Sequence, residues 1–260
     1  MELTKVIKYL DAFLQVEKFK DEPDANGLLV EGKSNIEKIG LAVSTTFNVI
    51  EKCIEKNCDL LIVHHPTWKD KDLENYNKKI KMLKDNKISL YAAHDCLDCI
   101  DEINTSKALG EELNIIVKGK FAKWDFLPWG NKRKHPNKNA FVGVYGIKET
   151  TPKEFLKLIE KKLKIKPKAF IDREQIKKIG IIAGGGLQSM WIKEAKNLGC
   201  DTFLTGEGLF FGTLYGSESN INIILASHYA TEKPALVQLS KKIKKDLNII
   251  VEFIEDTNHG

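Results

Sequence analysis

Apolar positions along the chain follow two spacings, one typical of helices and one typical of buried strands. Helical spacing begins at residues 4–16, where Thr4 is placed to cap an amphipathic helix. Short apolar runs that end at polar or turn-forming residues predict strands buried on both faces of a sheet. In the first half these patterns predict helices over 4–16, 47–56, 74–86 and 105–113, strands over 38–43, 59–65 and 88–94, and a turn-rich link over 21–27. Such alternation is typical of an α/β fold.

The second half of the chain repeats the order of elements found in the first. Thr151–Glu154 forms a capping box with Pro152 at the first helical position, which predicts a helix over 152–163. The same patterns then predict strands over 178–183, 201–207 and 222–228 and a helix over 190–198. The shared order indicates an internal duplication. We therefore expect two duplicated α/β lobes with mixed sheets, over residues 1–117 and 141–260, joined by a connector over 118–140.

Two adjacent histidines, His64 and His65, end a predicted strand of the first lobe, and Pro66 stops the apolar run after them. Sheets of this class place their chemistry at the carboxyl ends of strands, where the chain turns and neighbouring side chains can converge. For an arbitrary pair of histidines there are two equally good explanations: a shared functional site, or one histidine in the core and one on the surface. The ends of the other strands decide between these alternatives.

A histidine followed four residues later by a carboxylate occurs at the corresponding place in each half. These pairs are His94 with Asp98 and His228 with Glu232. Imidazoles and carboxylates from both lobes suit zinc, iron, manganese or cobalt. The predicted metal ligands are His64, His65, Asp98, His228 and Glu232. Five side chains exceed the needs of one tetrahedral ion and suit two ions about 3.5–4 Å apart, with a bridging carboxylate and positions open for water, as in catalytic sites.

Three further features have more than one explanation each. Gly184–Gly186 fits a phosphate-binding turn or a tight turn without a ligand equally well, because the dinucleotide and Walker spacings are missing. Glu207 ends a strand at the place that matches the histidine pair, where it fits a general base, a partner of a ligand or a surface carboxylate. His94 fits a sixth ligand or, preferably, a partner that orients a metal ligand.

Composition restricts the class of protein. Of the 260 residues, 42% are hydrophobic and 30% are charged, which is ordinary for a globular protein, and no apolar run is long enough to span a membrane. The first residues form a helix pattern rather than a signal peptide. The odd number of cysteines, five, fits reduced thiols better than a disulfide framework. We therefore expect a cytoplasmic protein.

Positive charge is modest overall and concentrated in the connector. The net charge of +5 permits an anionic ligand but does not by itself indicate nucleic-acid binding. The connector 118–140 is the most basic and aromatic loop, with Trp124, Trp129 and the cationic residues 132–134. Such a combination can bind nucleic acid, but a solvated connector is the preferred interpretation.

Six segments together carry a resemblance to a known family. They are Asn26–Leu28, His64–Pro66, His94–Asp98, Gly184–Gly186, Thr205–Glu207 and His228–Glu232. In this order they resemble the Nif-three-like family, also called the GTP cyclohydrolase I type 2 family, over nearly the whole chain. The resemblance implies a two-lobed α/β fold, a dinuclear metal site with the five ligands above, and a ring-shaped homohexamer. Ser227, where glycine is usual, and Ser44, where aspartate is common, depart from the family pattern without removing a ligand.

Two hypotheses for the function follow. The first is a metal-dependent hydrolase that acts on a nucleotide or a similar small anionic substrate, with two divalent ions per chain (zinc, iron or manganese) and Glu207 as a catalytic residue. GTP is the substrate that the family's name implies. The alternative is a non-catalytic, metal-stabilised ring that binds nucleic acid or a protein partner. Neither hypothesis involves a membrane.

Overall fold

The computed structural model describes residues 1–20, 24–70, 73–124, 139–186, 188–208 and 210–257. In chain order the elements are α1 (Leu3–Leu14), a 3-10 helix (Val16–Phe19), β1 (Asn26–Val30), β2 (Lys38–Ser44), α2 (Phe47–Glu55), β3 (Leu60–His65), α3 (Leu73–Asp85), β4 (Ser89–Ala93), α4 (Asp95–Cys99), α5 (Thr105–Glu112), β5 (Ile116–Lys123), β6 (Phe141–Thr150), α6 (Pro152–Leu163), β7 (Lys168–Phe170), β8 (Ile176–Ile182), α7 (Ser189–Asn197), β9 (Thr202–Thr205), α8 (Phe210–Glu218), β10 (Asn222–Leu225), α9 (His228–Leu247) and β11 (Ile250–Phe253). None of the helices in these ranges is both long enough and apolar enough to cross a membrane.

The chain divides into two compact units. Unit 1 consists of Met1–Ile100 together with Leu236–His259, and unit 2 consists of Asp101–Ala235. Among the described residues, unit 1 contains a sheet in the order β1-β4-β3-β2-β11, and unit 2 contains a sheet in the order β5-β6-β8-β9-β10-β7. Parallel and antiparallel pairs occur in both sheets. The predicted mixed α/β fold is therefore confirmed.

The two sheets share one arrangement of strands. In unit 1, β3 pairs in parallel with β2 and β4, and in unit 2, β9 pairs in parallel with β8 and β10. An antiparallel strand then pairs with the third parallel strand in each unit, β1 with β4 and β7 with β10. This common order is the one that the repeated sequence pattern predicts.

The central strands form because apolar side chains fill both faces of the sheet. In β3, residues 60–63 are all fully buried, and Leu61 and Val63 pack in one cluster with Val49 and Ile50 of α2. Continuous burial of this kind is typical of parallel strands covered by helices on both faces. This packing fixes the position of the carboxyl end of β3, where the two histidines lie.

An aspartate at the start of the middle parallel strand occurs in both units. Asp59 Oδ2 accepts hydrogen bonds from the backbone N–H groups of residues 37–38, at 2.8 and 3.1 Å. Asp201 Oδ2 accepts the matching pair from residues 177–178, at 2.8 and 3.0 Å. The same side chain thus ties β3 to β2 and β9 to β8, which supports the internal duplication.

We expect Asp59→Ala to lower the free energy of unfolding by about 2–4 kcal/mol, because two backbone donors and Lys33 Nζ, at 2.6 Å, lose a charged acceptor. Burial acts to raise the pKa of Asp59, but the hydrogen bonds from Lys33 and from residues 37–38 outweigh it and lower the pKa. A carboxyl group with a lowered folded-state pKa stabilises the fold above its unfolded pKa of about 3.9 and loses that contribution as the pH falls through the folded value. Urea unfolding should therefore show a larger difference between variant and wild type at pH 7 than at pH 3.

Lys33→Met is the matched control for this prediction. The Lys33 side chain is 49% exposed, so its ion pair with Asp59 should contribute less than about 1 kcal/mol. Equal losses in the two variants would show that the ion pair, rather than the backbone hydrogen bonds, is the source of the stability.

Some element boundaries differ from those predicted. Thr4 does not cap α1, because the helix begins at Leu3, whose N–H is bonded to the carbonyl of Ser34. The predicted link at 21–27 contains the start of β1. Residues 118–123 of the predicted connector lie in β5, which pairs with β6. Lysines on the exposed face of β5 make this strand resemble a solvated loop in the sequence.

The unit boundaries also differ from the expected lobes. Residues 101–117 lie in unit 2, because α5 packs against β6 and β8. Residues from 236 onward lie in unit 1, because β11 pairs with β2. Trp124 is buried rather than solvated. The remaining basic and aromatic part of the connector, 125–138, lies outside the described residues.

Candidate metal centre

Unit 1 brings three histidines together at the carboxyl ends of β3 and β4. His64 and His65 end β3, and His94 follows β4 at the N-cap position of α4. Because β3 and β4 are parallel neighbours, their carboxyl ends lie at the same edge of the sheet. One nitrogen from each of the three rings lies within 4.8 Å of the others. We call these histidines, with Asp98 of α4, the unit 1 group.

His64 is fully buried, and its hydrogen bond defines which nitrogen faces the group. Nδ1 lies 2.8 Å from the carbonyl oxygen of Ala93, which can only accept, so Nδ1 carries the hydrogen. Nε2 then carries the lone pair that a metal ion requires. Nε2 lies 3.6 Å from Asp98 Oδ1. Two ligands of one tetrahedral ion lie about 3.3 Å apart when each bond is about 2.0–2.1 Å, so this pair of atoms fits a shared ion.

His65 is half-buried and faces the same group. Its ring centroid lies 4.6 Å from that of His64, so the two rings converge even though their burial differs. Ser44 Oγ lies 3.1 Å from His65 Nδ1. A hydroxyl group can donate or accept, and therefore Ser44 does not by itself select the tautomer of His65.

His94 stacks on His64 and meets Trp68 edge to face. The His94 ring lies 4.8 Å from the His64 ring at an interplanar angle of 26° and 5.5 Å from the Trp68 ring at 85°. Its Nδ1 is buried and, among the described residues, has no hydrogen-bond partner, although Asp95 Oδ2 lies 3.4 Å away. This position fits either a further ligand or a ring that packs against a ligand.

A cavity of about 580 Å³ lies beside the unit 1 group. Its lining includes Trp68, Lys69 and Tyr76. Trp68 connects the cavity to the group, since its ring is 6.1 Å from His65 and 5.5 Å from His94. The volume lies within the range of about 300–1,000 Å³ that is usual for small-molecule sites.

Unit 2 contains a histidine between two carboxylates. His228 is the first residue of α9, Glu232 lies one turn later, and Glu207 follows β9. His228 Nδ1 lies 2.8 Å from Glu207 Oε1, and Nε2 lies 2.9 Å from Glu232 Oε1. The Glu207 side chain is 64% exposed and the Glu232 side chain only 4%. We call these three residues the unit 2 group.

The two carboxylates change the protonation of His228. Burial acts to lower the pKa of His228, but the hydrogen bonds and charges of Glu232 and Glu207 outweigh it and raise the pKa to about 9. Without a metal ion the ring is therefore an imidazolium at neutral pH. A divalent cation can replace the Nε2 proton while Glu207 keeps the Nδ1 proton in place.

The glycine triplet passes directly beside this histidine and carboxylate. Gly184 N–H donates to Thr231 Oγ1 and Gly186 N–H donates to Thr205 Oγ1, both at 3.0 Å. These two donors are used within unit 2, which favours the tight turn over the phosphate-binding turn. Gly184 has φ of 68°, and a Cβ there would overlap Glu232 Oε1. Glycine therefore allows the turn to approach the unit 2 group.

Within each unit, the structure brings the predicted ligands together. His64, His65 and Asp98 lie in the unit 1 group, and His228 and Glu232 lie in the unit 2 group with Glu207. The sequence prediction did not include Trp68. A tryptophan three residues after the histidine pair was the only sequence signal for it.

The chain is similar to known proteins over nearly its whole length. The family model for Duf34/NIF3 (NGG1p interacting factor 3) matches residues 1–259. Relatives from Haemophilus influenzae and Pyrococcus abyssi, both named GTP cyclohydrolase 1 type 2 homolog, are 33% identical over 242 residues (90% of each chain) and 26% identical over 260 residues (98% of each chain). A solved structure described as protein ybgI of unknown function has a TM-score of 0.86 at 26% identity, covering 100% of both chains. Reduced HcgD from Methanocaldococcus jannaschii has a TM-score of 0.78 at 25% identity, covering 98% of both chains.

Proposed function

The chain belongs to the Duf34/NIF3 family, and we propose that it is a divalent-metal-dependent hydrolase. Two ions per chain, of zinc, iron or manganese, are bound by His64, His65, Asp98, His228 and Glu232. The substrate is a small anionic compound. A nucleotide is the class that fits the name of the relatives, GTP cyclohydrolase 1 type 2 homolog.

The observation that carries this proposal is found in both units: an imidazole whose Nδ1 is held by a hydrogen bond and whose Nε2 faces a carboxylate. In unit 1, Ala93 O orients His64 and the ring's Nε2 lies 3.6 Å from Asp98 Oδ1. In unit 2, a carboxylate orients His228 and Nε2 lies 2.9 Å from Glu232 Oε1. Metal-binding histidines nearly always donate their other N–H to a carbonyl or carboxylate in this way. Both pairs therefore have the donor atoms and the outer hydrogen bonds of a metal site.

The residues around the two groups suit a hydrolase whose substrate carries a planar ring. Bound divalent ions supply Lewis acidity, which polarises the substrate bond and makes a water molecule more acidic. Trp68 and Tyr76 offer aromatic surfaces for a planar ring in the cavity, where Lys69 is a cation beside the carboxylates of Asp24 and Asp70. Glu207 orients His228, and its exposed carboxylate is also placed to accept a proton as a general base.

A turnover screen tests the proposal. The purified protein and a His64→Ala/His65→Ala variant are incubated with GTP and other nucleotides in the presence of zinc, ferrous iron or manganese. We expect metal-dependent product formation by the wild type and none by the variant. If no metal supports turnover and the protein instead shows salt-sensitive DNA binding, the hydrolase proposal is wrong and the nucleic-acid-binding alternative is favoured.

Metal binding should depend on pH through His228. Because the pKa of His228 is raised to about 9 in the metal-free chain, a cation must displace a proton at neutral pH. We expect the affinity for zinc to rise up to about tenfold per pH unit between pH 6 and pH 8, and proton release to accompany binding. Calorimetric titrations in buffers of different ionisation enthalpy measure both quantities. Affinity that is constant over this range would contradict the prediction.

A further inference from the structure

Cys53 and Cys58 form a pair of thiols that the proposed function does not use. Cys53 lies in the last turn of α2, and Cys58 lies just before β3. The N–H of Cys58 bonds to the carbonyl of Cys53 at 2.9 Å, and the N–H of Asn57 bonds to the carbonyl of Ile54 at 3.0 Å. Asn57 adopts φ of 56°. These bonds form a Schellman motif, in which the side chains at the positions of residues 53 and 58 meet.

The two sulfur atoms lie over the same residue of β2. The thiols of Cys53 and Cys58 share a hydrogen bond. Both lie over Gly40 of β2, where a Cβ would be 3.0 Å from Cys53 Sγ and 3.2 Å from Cys58 Sγ. A glycine inside a strand marks a place where another group approaches closely. Here the approaching groups are the two thiols and the side chain of Ile254.

Cys58 is the more acidic thiol of the pair. The hydrogen bond with Cys53 and the charge of Lys38 lower the pKa of Cys58, although burial acts in the opposite direction. The same hydrogen bond and burial raise the pKa of Cys53. Lys38 is 23% exposed and lies 3.0 Å from Glu252 on β11. β11 pairs only with β2 among the described strands, and Cys58 is 3% exposed while Cys53 is fully buried.

We propose that Cys53 and Cys58 are an oxidation site, at which a peroxide converts the thiol pair into a disulfide. The Cys58 thiolate attacks one oxygen of hydrogen peroxide, so that an S–O bond forms, the O–O bond breaks and the released hydroxide takes up a proton to give water. Cys53 Sγ then attacks the sulfur of the sulfenic acid. The S–S bond forms, the S–O bond breaks, and the hydroxyl group leaves as a second water with the Cys53 proton. Two thiols are oxidised and one peroxide is reduced to two waters.

The oxidised form would have a covalent link between the end of α2 and the start of β3. Cys96 and Cys99, the C-x-x-C pair of the sequence, do not compete for this role, because burial raises the pKa of Cys96 well above its usual value. The proposal does not depend on the proposed hydrolase function. It uses residues outside both metal-binding groups.

Peptide mapping tests the proposal directly, because trypsin cleaves after Lys52 and Lys56 and places the two cysteines on separate peptides, 53–56 and 57–69. The purified full-length chain is treated with hydrogen peroxide, blocked with N-ethylmaleimide and digested without reduction. We expect the two peptides to be joined, with a mass about 2 Da below their sum because two hydrogens are lost. Cys200, whose pKa burial raises to about 12, is the internal control and should react at least about tenfold more slowly than Cys58.

Single variants distinguish the thiol that reacts with peroxide, Cys58, from the thiol that then forms the disulfide, Cys53. Cys53→Ser should stop the reaction at a Cys58 sulfenic acid that dimedone traps, whereas Cys58→Ser should leave Cys53 unmodified. The wild-type digest decides the proposal even if a variant fails to fold. Separate alkylated peptides after peroxide treatment, a disulfide to another cysteine, or a Cys58 that reacts no faster than Cys200 would each show that the pair is only a packed helix end.

Discussion

Gly184→Ala is expected to remove metal binding at the unit 2 group, even though residue 184 offers no ligand atom of its own. A Cβ at this position would overlap Glu232 Oε1 and lie 2.9 Å from His228 Nε2. The turn cannot move away easily, because Gly184 N–H bonds to Thr231 Oγ1 and its carbonyl accepts bonds from the N–H groups of residues 206–207. The buried Glu232 carboxylate must therefore shift from His228. We expect metal content to fall from about two ions to about one per chain, and the free energy of unfolding to fall by about 2–4 kcal/mol.

Two other glycines provide matched controls for this variant. Among the described residues, a Cβ at Gly185 would meet only His228, at 3.7 Å, so Gly185→Ala should leave metal content unchanged. Gly199 has φ of 81° and no described residue within 4 Å of a Cβ there, so Gly199→Ala measures the backbone strain alone, about 1–2 kcal/mol. If Gly184→Ala retains the wild-type metal content, or Gly185→Ala loses metal equally, the unit 2 group does not bind the metal as proposed.

Glu232→Gln should weaken metal binding by at least about 100-fold, because the substitution keeps the shape of the side chain and removes a charged ligand. Glu232 is 4% exposed and lies 2.9 Å from His228 Nε2. An amide in this place can still bond to the imidazole but is a poor ligand for zinc, iron or manganese. Zinc affinity, measured by competition with a chromogenic chelator, gives the size of the loss.

Glu207→Gln is the matched control on the other nitrogen of the same ring. Glu207 contacts His228 Nδ1 at 2.8 Å and is 64% exposed, so its loss should weaken zinc binding by only about 10–100-fold. Should turnover stop in this variant after saturation with metal, Glu207 is a general base as well as an orienting residue. Equal affinities for Glu232→Gln and wild type would exclude Glu232 as a ligand.

Local signals in the sequence predicted the elements that are built from local interactions. The helix predicted over 152–163 has the same bounds in the structure, because the capping box of Thr151 and Glu154 and Pro152 act within one turn. The central parallel strands were predicted because burial on both faces gives a continuous apolar run. Edge strands such as β7 and β11 were not, since their pairing depends on partners distant in sequence.

The start of α9 shows a second limit of sequence prediction. His228 was expected at the end of a strand, but it begins a helix that continues through Pro234. A proline inside a helical pattern normally predicts the end of a helix. Because α9 already begins at His228, the strand β10 ends earlier than predicted, at Leu225.

The sequence identified the candidate residues, but it did not show which of them contact each other. The repeated spacing suggested that His94 and Asp98 pair as His228 and Glu232 do. Only His228 lies within a helix, where residues four apart are neighbours. His94 is an N-cap residue with φ of −88° and ψ of −98°, so its side chain does not follow the helical geometry. Asp98 lies beside His64 instead. The parallel pairing of β3 with β4 brings the end of β4 next to His64, where Ala93 O accepts a hydrogen bond from His64 Nδ1.

Metal content after reconstitution tests the central proposal most directly. The purified chain and the His64→Ala/His65→Ala variant are loaded in turn with zinc, ferrous iron and manganese, dialysed and measured by mass spectrometry of the metals. We expect about two ions per wild-type chain with at least one of these metals, and fewer than about one per variant chain. Fewer than about one ion per wild-type chain with all three metals, or equal content in both proteins, would contradict the dinuclear site.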